Sequence, residues 1–185
     1  MKKIVIILFL LVIVHSSLVN AANSMNREFS PFEESYLNNG YKTIDNALRE
    51  CKKHFNFREV KLPTSLPPVP FTHHFGRFNN IEGNENDDCE FEYLNEKDSK
   101  NHYWIDIRPV ENKINFHNSK HIIRTYKLKD GTEALYLATP QNDGRSLGNF
   151  LVFEKNGWQY RLNIDSRIED KITSNVLVEM AESVK

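Results

Sequence analysis

The chain has 185 residues, 39% of them hydrophobic and 26% charged, which suffices for one domain with a substantial core and is too little for two large ones. Seven Gly and seven Pro exclude collagen-like and low-complexity classes, and a formal net charge of −1 demands neither nucleic acid nor an anionic surface as partner. Two Cys are too few for a Cys-rich zinc module and make one disulfide's worth.

The N-terminus has a tripartite pattern. Lys2 and Lys3 precede an unbroken apolar run of eleven residues, Ile4 to Val14, and Val19-Asn20-Ala21 fits a small-residue cleavage site. This predicts a secretory signal peptide over 1–21 and an extracytoplasmic protein, secreted or held in the cell envelope. The run is short against the roughly 20 residues of a membrane span, so no span is expected after cleavage. An uncleaved anchor is the alternative. Loss of Lys2 and Lys3 takes the formal charge from −1 to −3.

Residues 22–42 read as a loosely ordered arm whose aromatics, Phe29, Phe32 and Tyr36, can dock on the body. Residues 43–185 read as a single domain. Thr43 can cap a helix to about His54, with Ile44, Ala47, Leu48, Cys51 and Phe55 on one stripe. Four prolines between Lys61 and Pro70 forbid a regular helix or central strand and make a stiff connection. Strand patterns follow: Phe71 to Phe78, then Cys89, Phe91 and Tyr93 alternating with Glu90 and Glu92, then Tyr103, Ile105 and Ile107. His121–Leu128 and Glu133–Thr139 flank Asp130-Gly131, and Asn149–Lys155 and Trp158–Asp165 flank Asn156-Gly157, both strong hairpin signals. A closing helix starts at Ser166 by a capping box, or later at Thr173 or Ser174, with Ile172, Val176, Met180 and Val184 as its apolar stripe. The expected fold is α+β: an antiparallel sheet of about six or seven strands with an N-terminal and a C-terminal helix packed on it.

Cys51 lies on the apolar stripe of the first helix and Cys89 on the apolar side of a strand. If the helix covers that face, the thiols meet in a structural disulfide, favoured by export. Two separate buried thiols are the alternative.

Motifs for chemistry are few. Gly144-Arg145-Ser146-Leu147-Gly148 matches the nucleophile-elbow pattern, but a polar loop precedes it and a strand follows it, where the elbow needs strand then helix. The last His, His121, lies upstream, so the hydrolase order of Ser, acid, His is impossible. His73 and His74 are adjacent on a strand and point to opposite faces, which speaks against a shared metal. Asn84 to Asp88 is acidic but fails the calcium-loop pattern, with Cys89 at the Gly position. Lys120, Arg124, Lys127 and Lys129 read as a solvated face. No catalytic set, metal ligand set or cofactor is assigned.

Two strands are apolar on both sides. Leu135 and Leu137 oppose Ala134, Tyr136 and Ala138, and Phe150 and Val152 oppose Leu151 and Phe153. A sheet covered on one side should alternate cleanly, so these strands need a second cover. The arm, a curled sheet edge, or a ligand or partner can supply it.

The order of elements resembles an exported domain family of unknown function, found in secreted or lipid-anchored proteins of Gram-positive spore formers and as the outer domain of anti-sigma-type membrane regulators. Three segments carry the resemblance: Lys61-Leu62-Pro63-Thr64-Ser65-Leu66-Pro67, Asn156-Gly157-Trp158-Gln159-Tyr160-Arg161-Leu162, and the helix from Leu177 to Val184. It implies an α+β fold distantly similar to lipoprotein carriers with a hydrophobic cavity, and no catalytic residues. The chain departs from it in lacking a lipid-attachment Cys and a second membrane segment, which speaks against direct regulation across the membrane.

The expected function is an exported, non-enzymatic binding module for a small hydrophobic ligand or an envelope protein. Its expected site is the less-covered sheet face, with Trp104, Arg108, Arg124, Tyr126 and Tyr136 as candidate side chains. The alternative is a small secreted hydrolase using Ser146 with an upstream His. A purely structural envelope protein is the third possibility.

Overall fold

The computed structural model describes residues 29–80, 87–139 and 148–185. The chain divides into two compact units at Ser35/Tyr36. Of the first, the described part is the start of a helix, α1 (Pro31–Asn38), within the segment expected to be a loose arm. Its start is a reciprocal cap. The Glu33 amide donates to Ser30 Oγ at 3.2 Å, and the Ser30 amide donates to Glu33 Oε2 at 3.0 Å. Pro31 stands where a missing N–H costs nothing.

The second unit is a seven-stranded antiparallel sheet with helices on one face. Its strands are β1 (His73–Asn79), β2 (Asp88–Leu94), β3 (His102–Pro109), β4 (Ile122–Lys127), β5 (Glu133–Ala138), β6 (Gly148–Lys155) and β7 (Trp158–Asp165), in the order β1-β2-β3-β7-β6-β5-β4. The two Gly-containing turns form as the sequence requires. Asn156 (φ 53°) and Gly157 (φ 80°) both take left-handed backbone, the geometry whose twist matches a two-residue hairpin.

Helix α2 (Ile44–His54) starts at Thr43, whose hydroxyl accepts from the Asn46 amide at 3.4 Å. It packs over β1 and β2. Gly76 permits that approach, because a Cβ there would sit 2.7 Å from Ala47 Cβ and 2.8 Å from the Phe91 ring. The helix brings Cys51 onto Cys89 as a disulfide, with Cα atoms 6.1 Å apart. Helix α3 (Ser174–Glu182) takes the later of the two expected starts, and Ser166–Ile168 is a short 3-10 turn capped by Asp165.

These helices cover the first face of the sheet. Phe91, Tyr103, Ile105, Ile107, Leu151, Phe153, Tyr160, Leu162 and Ile164 fill it, with Ala47, Leu177, Met180 and Ala181 set against them. The proline-rich segment between α2 and β1 closes the same layer. The Trp158 indole donates to Glu59 O at 3.0 Å, and Asn95 donates to Pro70 O at 3.0 Å. Among the described residues no helix is long and apolar enough to cross a membrane.

Candidate functional site

Strand pairing sorts the second face into rows, since directly opposed residues share a face. One row runs Phe75, Glu92, Trp104, Asn163, Phe150, Leu137 and Ile122 across the sheet. The next runs Arg77, Glu90, Asp106, Arg161, Val152, Leu135 and Thr125. The face is therefore charged over β1, β2, β3 and β7 and apolar over β6, β5 and β4.

In the charged half nearly every group is paired. Asp106 accepts from Arg161 Nη2 at 2.6 Å and from Asn163 Nδ2 at 2.9 Å. Arg108 donates to Asp88 at 2.9 Å. The Tyr41 hydroxyl lies in hydrogen-bond contact with both Glu90 and Glu92. His102 reaches Glu92 at 3.0 Å, and Arg77 reaches Glu90 at 3.1 Å. Tyr36 stacks on Phe75 with ring centroids 4.7 Å apart, so an aromatic of the expected arm does dock on the sheet. Burial pushes the Tyr36 phenol up to about 12, helped by the Glu92 carboxylate. Burial also raises the Glu90 carboxyl, whereas at Glu92 the bonds from His102 and Tyr41 outweigh burial and lower it.

The apolar half holds the second cover that the two-sided strands require. Leu135, Leu137, Phe150 and Val152 form a separate buried cluster, capped by Phe116 and Ile122. Phe116 belongs to the β3–β4 connection and meets Phe150 edge-on at 5.6 Å. Gln159 of β7 fastens this connection at both ends of its amide. It accepts from the Ile114 amide and donates to the Ile114 carbonyl, each at 2.9 Å.

The connection does not seal the face. Between it and the sheet lies a cleft of about 360 Å³, floored by Leu135 and Val152. Its rim carries the Lys113–Glu154 ion pair at 2.7 Å and a His117–Glu133 contact at 3.5 Å. Leu135, Val152 and Phe116 give it an apolar surface, and polar side chains make up the greater number of those lining it. Clefts that combine an apolar surface with placed polar groups are the usual small-molecule sites. Among the described residues that line the cleft, no nucleophile stands beside a base.

The five candidate side chains are not brought together. Trp104 and Arg108 lie in the charged half of the second face, Arg108 tied to Asp88. The pairing of Arg124 with Tyr136 and of Tyr136 with Leu151 places both on the first face, with Tyr126. There Tyr126 shares a hydrogen bond of 2.6 Å with Ser174 of α3, and Arg124 stacks over its ring at 5.2 Å. None of the five lines the cleft. Ile114, Phe116 and Gln159, which line the cleft, are not among the five candidates. Their signal was faint: Ile114 and Phe116 alternate as the apolar residues of an otherwise polar stretch.

Ser146 and its flanking glycine Gly144 lie outside the described residues, as does most of the acidic loop at 84–88. His73 and His74 take opposite faces of β1, opposing Leu94 and Tyr93. Among the described residues no group of three or more His, Cys, Asp or Glu is arranged to hold a metal ion. The chain matches no protein-family model, no curated protein and no solved structure.

Proposed function

We propose that this protein is a non-enzymatic binding module that holds a small ligand with an apolar body in the cleft beneath the β3–β4 connection. The observation that carries the reading is the cleft's floor: Leu135 and Val152, on strands apolar on both sides, border about 360 Å³ of space beside Phe116. The rim is mixed in charge, with Lys113 against Glu133 and Glu154 and the His117 ring beside them, so a ligand's polar end finds a partner of either sign. Export by the N-terminal 1–21 segment belongs to the same proposal and is supported by its tripartite pattern and by a disulfide suited to an oxidising compartment. So does kinship with the exported family of unknown function, which rests on the three segments quoted above. An envelope protein as partner is not favoured by any surface feature of the cleft, whose volume suits a small molecule.

The test is thermal unfolding of the mature protein with hexanol, hexylamine and hexanoic acid as probes. A saturable rise in melting temperature is expected with at least one of them, since a ligand that binds only the folded state stabilises it. Val152→Phe fills the cleft and should abolish the rise while keeping the fold. No rise with any probe, or a rise that V152F leaves intact, contradicts the reading.

A further inference from the structure

Helix α2 ends in a turn that carries more backbone strain than its capping needs. The Phe57 amide bonds back to Lys52 O at 2.7 Å and the Phe55 amide to Cys51 O at 2.9 Å, a closed C-terminal motif. Such a motif needs one left-handed residue, and Asn56 (φ 52°) provides it. Phe57 (φ 64°) is left-handed as well. For a bulky side chain that conformation is an outlier, and here no packing compensates for it, because Phe57 is 73% exposed.

Its neighbours are held firmly. The Phe55 ring lies 5.2 Å from Trp158 and 5.7 Å from Phe78. Arg58 donates to Gly157 O at 2.6 Å and stacks over Trp158 at 4.7 Å. Phe57 is thus presented to solvent from a rigid mount. Around it the charge departs from that of the whole chain. Residues 49–61 hold five cations (Arg49, Lys52, Lys53, Arg58 and Lys61) against Glu50 and Glu59; Lys52 and Lys61 share Glu59 and Arg58 is paired with Glu111, which leaves a local charge of +2 where the chain carries −1.

We propose that the Phe57 turn is a contact point for an anionic lipid surface. One aromatic ring is far too small an apolar patch for a stable protein interface, which needs about 800 Å² from each partner. A lipid surface requires no matching shape. It takes a single aromatic at headgroup level while nearby cations meet the anionic phosphates. This inference is independent of the cleft and its ligand.

The experiment is co-sedimentation of the mature protein with vesicles of phosphatidylglycerol and phosphatidylcholine, and with phosphatidylcholine alone. Wild type should bind the mixed vesicles, more weakly as salt is raised and more weakly still without phosphatidylglycerol. Phe57→Gly removes the ring and relieves the left-handed strain. It should lower the partition coefficient by about tenfold, the value of burying one such ring, while its melting temperature equals or exceeds that of wild type. Phe57→Trp should bind at least as well as wild type. Absence of wild-type binding overturns the proposal and leaves a protein partner to be sought. Equal binding by F57G, or a lower melting temperature for it, also overturns it.

Discussion

Tyr41 carries one phenolic proton, yet its oxygen is shared by two carboxylates, Glu90 and Glu92. If both are ionised, one of them faces the phenol without a proton between. Tyr41 donates to one carboxylate at a time, and protonation of Glu90 leaves Glu92 as the charged acceptor. Burial, the largest influence on Glu90, acts in that direction, lifting its carboxyl above the ordinary 4.5 against the pull of Tyr41 and Arg77. The other groups facing this pair are Tyr36, Arg77, His102 and Asn79. A carboxyl with a raised folded pKa contributes stability that is present at low pH and lost as pH rises through the folded value. Glu92, lowered, behaves oppositely: its contribution is present above the unfolded value and lost as pH falls. Glu90→Gln keeps a donor for Tyr41 and has no proton to lose. In urea unfolding followed from pH 4.5 upward, E90Q should gain on wild type as pH rises; a difference that stays flat contradicts the proton assignment. Gly76 offers a second test at this scale. Gly76→Ala pushes a methyl into Ala47 and Phe91 and should cost about 1–3 kcal/mol, read as a lower urea midpoint. An unchanged midpoint would show that α2 stands off the sheet.

The elements were the legible part. Helix α2 and strands β2 to β7 lie where periodicity and the Asp-Gly and Asn-Gly turns put them, because a side-chain period of two or 3.6 is imposed by burial on one face and survives in the sequence. Helix α1 escaped because its cap, Ser30 with Glu33, precedes a stretch too short and too polar to show an apolar stripe. The disulfide was legible as a possibility only, since whether α2 covers β2 is a tertiary fact. It closes a loop of 38 residues, and removing it as Cys51→Ala with Cys89→Ala should destabilise by about 4 kcal/mol in the chain-entropy view. That corresponds to a melting temperature lower by roughly 10 °C for a domain of this size. A fall of only a degree or two would mean that core packing alone holds α2 in place.

At the scale of the whole molecule, the site was half legible. Two-sided apolar strands announced that a second cover exists. What forms it depends on strand order, and a single sequence does not disclose that β7 inserts between β3 and β6. That insertion brings Gln159 under Ile114 and pins the β3–β4 connection over Leu135 and Val152. The same order separates Trp104 and Arg108 from Arg124, Tyr126 and Tyr136 across the thickness of the sheet. It also puts the charged half of the second face beside the apolar half, so the cleft has one polar and one greasy neighbour. Binding in such a cleft is most directly examined by amide chemical shifts of the labelled protein during titration with hexanol, hexylamine and hexanoic acid. The shifts should concentrate at Ile114, Phe116, Leu135 and Val152 and saturate together. Shifts centred on the helical face, or none in any titration, would show that the cleft is not where this molecule binds.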